Sequence, residues 1–86
     1  MDIAKRISDV LEFPAETMMD IPKITMIGNQ KILVENYNSL LDYKKEIIRL
    51  KYSSGVIEIS GKNFEIKSIG EENIEISGET QAVRLI

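Results

Sequence analysis

Two glutamates, Glu58 and Glu75, are the residues whose type could do acid–base chemistry, since paired carboxylates serve as general acid and base when they flank a scissile bond. Each sits inside the same pentapeptide, Ile57-Glu58-Ile59-Ser60-Gly61 and Ile74-Glu75-Ile76-Ser77-Gly78. Period-two alternation sends the isoleucines to a buried face and the glutamates to water, so the carboxylates read as the solvent face of a thin sheet. A second set, Lys44, Lys45, Arg49 and Lys51 with Tyr43 and Tyr52, has the types that grip single-stranded nucleic acid by neutralising phosphates and stacking bases. Glu46 interrupts it, and the whole chain carries a net charge of −3, whereas phosphates call for a cationic surface. No nucleic acid is expected as partner. Histidine and cysteine are absent. That removes cysteine nucleophiles, serine–histidine triads, disulfides and nearly all zinc chemistry, so neither an enzyme nor a cofactor is expected.

Eighty-six residues make one domain of modest stability, with little room for a deep cleft. Fifteen isoleucines favour pleated structure, because branching at Cβ suits a sheet. Charge is unevenly spread. Residues 1–20 hold five acids and two bases, while residues 21–86 balance nine against nine. Lys44, Lys45, Arg49 and Lys51 form a basic stretch and Glu71, Glu72, Glu75 and Glu79 an acidic one. These read first as solvated faces and second as matched patches between subunits. No apolar run approaches the roughly 20 residues that span a bilayer, and no signal-peptide pattern opens the chain, so a soluble, cytoplasmic protein is expected.

The spacing predicts an amphipathic helix over residues 1–13, capped by Asp2, with Ile3, Ile7, Val10 and Leu11 on one face. So short a helix needs a surface for its stripe, which is the chain's own sheet, a partner or lipid. Beyond Pro14 the reading is β-rich. A hairpin turns at Gly28-Asn29; Leu40, Leu41, Tyr43 and Ile47 fit a short helix or a strand, and residues 39–43 are read as strand. A strand follows at 46–52, and Ser53-Ser54-Gly55 turns the chain into Val56. A type II′ turn at Gly61-Lys62 would then set Ile59 opposite Phe64 and Glu58 opposite Glu65. Odd apolar spacing between Ile66 and Ile69 predicts a bulge near Lys67-Ser68, and Val83 and Leu85 restore alternation in a last strand expected to leave an open edge. The expected architecture is mainly β: an N-terminal helix, then an antiparallel meander forming a roll or small sandwich. A short β-solenoid is the alternative, the seventeen-residue offset between the pentapeptides being one coil. The pentapeptides themselves read as two strand ends meeting glycine turns rather than as an internal repeat.

Three blocks carry a family likeness: Pro14 with Met18-Met19-Asp20-Ile21-Pro22-Lys23-Ile24-Thr25-Met26-Ile27-Gly28; Val34-Glu35-Asn36-Tyr37 with Leu40-Leu41; and Ile59-Ser60-Gly61 with Phe64-Glu65-Ile66. In this order they resemble the YabP/YqfC family of sporulation proteins, so residues 14–86 are expected to be a YabP/YqfC-like β-rich domain. The resemblance implies a non-enzymatic protein of endospore-forming bacteria, made in the mother cell and working in spore envelope or coat development. It further implies a membrane protein of the YqfD type as partner, which would hold the chain at the forespore membrane. A self-assembling structural protein of the developing spore, a homo-oligomer, is the other expectation. Candidate interaction residues are the stripe Ile3, Ile7, Val10 and Leu11, together with Asp20, Glu35, Asn36 and Tyr37. Capping by Asp20 and turn chemistry at residues 35–37 are the competing structural readings.

Overall fold

The computed structural model describes residues 20–86. The helix expected over residues 1–13, its stripe Ile3, Ile7, Val10 and Leu11, and Met18 and Met19 lie outside them. Six strands follow in sequence: β1 (Lys23–Ile27), β2 (Lys31–Glu35), β3 (Ser39–Tyr43), β4 (Ile47–Tyr52), β5 (Gly55–Ile69) and β6 (Asn73–Leu85). They form one open antiparallel sheet in the order β1-β2-β6-β5-β4-β3. β3 to β6 are a meander, and the β1–β2 hairpin adds to the far side of β6. All pairings being antiparallel, the solenoid alternative does not hold: Glu58 faces Arg84 in register rather than stacking on Glu75.

Only residues 36–38 join β2 to β3, although three strands lie between them in the sheet. In a flat sheet four spacings would separate them by about 19 Å, more than the roughly 14 Å that four residue steps can cover. The sheet is therefore curved, with its β1–β2 half facing its β3–β4 half. One core cluster draws on both: Ile32, Val34, Ile74 and Ile76 from one, Ile48, Leu50, Ile57 and Ile59 from the other, with Tyr37 and Phe64 at the joins. Fully buried side chains of this size contribute about 1.5–3 kcal/mol each, which makes these rows the main stabilising feature.

The bend lies midway along the β5–β6 hairpin. The register slips on either side of the pair Lys62↔Glu79, by one extra residue on β6 between Thr80 and Ala82 and one on β5 between Lys62 and Glu65. Bulges bend and twist a hairpin where they occur. Gly61 and Gly78 sit beside them because nothing larger fits. A Cβ on Gly61 would collide with the Glu79 carbonyl oxygen, and one on Gly78, whose φ is 141°, would meet the Phe64 ring at 2.8 Å. The expected turn at Gly61-Lys62 is thus replaced by continuous strand, and Ile57 and Ile59 face Leu85 and Val83. The bulge expected at Lys67-Ser68 is present. The expected open edge on the last strand is not, because β6 lies inside the sheet, which among the described residues ends at β1 and β3.

The two halves repeat each other about the bend. Ile24/Val34/Ile74/Ile69 and Met26/Ile32/Ile76/Ile66 run across one half; Leu40/Leu50/Ile57/Leu85 and Tyr43/Ile48/Ile59/Val83 run across the other. Exposure matches position by position: 47% and 48% at Met26 and Tyr43, 57% and 56% at Ile69 and Leu85. Hydrogen bonds match as well. Gly61 N–H donates to the Glu46 carbonyl at 3.0 Å and Gly78 N–H to that of Gln30 at 3.1 Å, while Gly70 N–H donates to Asn73 and Ile86 N–H to Val56. The two pentapeptides occupy equivalent places in this quasi-two-fold arrangement, so their likeness reflects a shared structural role and not two separate glycine turns.

Candidate functional site

The residues singled out between 20 and 37 come together at the end of the molecule away from the bend. Asn36 is the hub. Its φ of 67° lies in the left-handed region that asparagine tolerates better than most residues. Its side-chain amide donates to the Ile21 carbonyl at 3.0 Å, and its backbone N–H donates to that of Glu72 at 2.6 Å. Next to it, Tyr37 is 5% exposed and its hydroxyl donates to the Gly70 carbonyl at 3.0 Å. Burial pushes the Tyr37 phenol above its ordinary value. Asn38 N–H donates to Lys51 of β4. Three segments, the entry to β1, the β2–β3 connection and the β5–β6 turn, are fastened here through the backbone carbonyls of Ile21, Gly70 and Glu72.

Glu35, Asn36, Glu72 and Asn73 line a cleft of about 350 Å³ at this end. Asp20 is exposed and precedes Ile21, whose carbonyl Asn36 holds. Two carboxylates and two amides on a braced turn suit hydrogen-bond donors and cationic side chains of a partner. Among the described residues no group of three or more carboxylates is placed to hold a metal ion. Of the four sequence candidates here, Asp20, Glu35 and Asn36 reach the surface, and Tyr37 belongs to the core. Glu72 was noted from sequence only as part of the acidic stretch, and Asn73 was not singled out; the turn letters Gly70-Glu71-Glu72-Asn73 carried the local signal for it.

The other chemical candidates are taken apart by the fold. Glu58 accepts from Arg49 Nε at 3.1 Å in one half of the sheet, and Glu75 lies 3.9 Å from Lys31 Nζ in the other. The basic stretch divides too. Arg49 also donates to Asp42 at 3.2 Å, and the bonds to Glu58 first and Asp42 second raise its guanidinium pKa above the ordinary value. Tyr52 packs on the core. Lys44 and Lys45 remain at the bend, where with Tyr43, Asn63, Phe64 and Glu65 they line an open groove of about 580 Å³.

A curved antiparallel sheet of six strands, wrapped on an isoleucine core and with one braced polar end, defines a small β-rich scaffold in class. Comparison with known proteins gives the family. Residues 20–85 match the YabP family. A Bacillus subtilis (strain 168) protein named "Uncharacterized protein YqfC" is 43% identical over 76 residues, spanning 88% of this chain and 82% of that one. The chain belongs to the YabP/YqfC family.

Proposed function

We propose that this chain is a non-enzymatic interaction module of endospore formation, a small β-roll that works with a membrane protein of the YqfD type in spore envelope or coat development. The family match across the whole described sheet carries this reading. The braced end supports it: Asp20, Glu35 and Glu72 offer acceptors on a rigid frame, the arrangement that partner recognition needs. The proposal places the chain in the mother-cell cytoplasm and at the forespore membrane through its partner; no helix among the described residues is long and apolar enough to cross a membrane. Deleting the gene in a spore-forming host tests this. A fall in heat-resistant spores, restored by the wild-type gene but not by a Glu35→Lys, Glu72→Lys double variant of unchanged stability, is expected. Normal spores from the deletion strain would reject it.

A self-assembling structural role is the second reading, favoured by the apolar side chains that remain exposed at the sheet's outer strands, Met26, Ile27, Leu41 and Tyr43. Sedimentation that shows monomer alone at high concentration and low salt would remove it.

A further inference from the structure

The internal two-fold makes each half of the sheet a control for the other, and its two edge strands differ. β3 is protected. Its register slips between Leu40 and Asp42, and Asp42 is tied to Arg49 on the neighbouring strand. Bulges and edge charges are the usual devices that keep a sheet edge from pairing with another chain. β1 has no bulge: Lys23 to Ile27 pair with Glu35 to Lys31 without interruption. Its only charge is Lys23 at one end, and Met26 and Ile27 are 47% and 64% exposed.

We propose that β1 is a strand-addition edge whose occupant is β1 of a second copy, forming an isologous antiparallel dimer centred on Thr25. The segment is self-complementary about that residue. A two-fold there sets Thr25 opposite itself, Ile24 opposite Met26 and Lys23 opposite Ile27. Threonine pairs directly across strands are favourable, and the lysine stem covers the isoleucine. The rows Ile24/Val34/Ile74 and Met26/Ile32/Ile76 then run on into the same rows of the second copy, so both cores gain the cover that they lack at β1. A five-residue edge buries less than the roughly 1,200 Å² of standard interfaces, so this is a weak dimer that forms as concentration rises. The inference is independent of the spore reading, since it concerns the edge and not the braced end.

Sedimentation of the full chain against concentration tests it. The wild type is expected to dimerise reversibly. Thr25→Lys and Thr25→Glu, each at an exposed position on the outer face, should weaken their own self-association about tenfold by setting like charges opposite one another. An equal mixture of the two should recover association, because opposite charges then meet. Leu41→Lys on β3 should leave it unchanged, and circular dichroism should show every variant folded. If Thr25→Lys unfolds, Ile27→Lys, which faces Lys23 of the second copy, is expected to give the same loss. A wild-type chain that stays monomeric to about millimolar, weaker than specific association requires, would overturn the proposal. So would self-association that Thr25→Lys leaves intact, or a mixture that fails to restore it.

Discussion

One phenol shows how a residue that sequence reading marks for recognition can instead hold a site in shape. Tyr37 puts its ring in the core and its hydroxyl on the Gly70 carbonyl, joining the β2–β3 connection to the β5–β6 turn that carries Glu72 and Asn73. Tyr37→Phe removes that bond, and because Gly70 is exposed its carbonyl can turn to water instead, so the expected cost is that of one net hydrogen bond, about 0.5–1.5 kcal/mol in urea unfolding. Burial raises the phenol's pKa in the folded chain, so the unfolded chain ionises first, near pH 10. The contribution of Tyr37 is therefore complete below that pH and is lost as pH rises through the folded value. Melting curves between pH 8 and about 11 should show wild type losing more stability than Tyr37→Phe across that window. Equal losses would show that the ring is more solvated than its 5% exposure indicates. Asn36 was legible as a turn residue, because asparagine accepts a positive φ; its hydrogen bond to Ile21, fifteen positions away, was not.

Strands expose what local pattern can and cannot reveal. Apolar alternation located β2, β4 and both pentapeptides, because burial on one face is written directly in the spacing; β3 was less legible, since Leu40-Leu41-Tyr43 fits helix or strand and Leu41 and Tyr43 stay exposed. Gly61-Lys62 resembled a turn by the same local logic. The structure uses the glycine differently, to let the Glu79 carbonyl pass where a Cβ would stand, and that requirement comes from a strand seventeen or more residues away. Strand order was hidden for the same reason: whether β6 is an edge depends on where the β1–β2 hairpin attaches. Two measurements test the element-level account. Gly61→Ala should destabilise by about 1–3 kcal/mol through overpacking against backbone. Ile59→Val and Ile76→Val, at equivalent buried positions of the two halves, should each cost about 0.5–1.5 kcal/mol and agree with one another within about 0.5. A wide disparity would mean that the halves share geometry without sharing packing.

At the scale of the whole molecule, the quasi-two-fold sheet assigns most of the isoleucines of the described residues to holding a curved scaffold, with the polar residues at one end. Composition had already pointed away from metal and nucleophile chemistry, since the chain has neither histidine nor cysteine. The fold adds that Glu58 and Glu75, the remaining acid pair, lie in different halves and are each engaged by a cation. The proposed role is binding of a YqfD-type membrane protein during spore formation. Fractionation of sporulating cells, with and without the YqfD-type gene, tests it. The chain is expected to sediment with membranes when the YqfD-type protein is present and to move to the soluble fraction when it is deleted; an unchanged distribution would contradict that role.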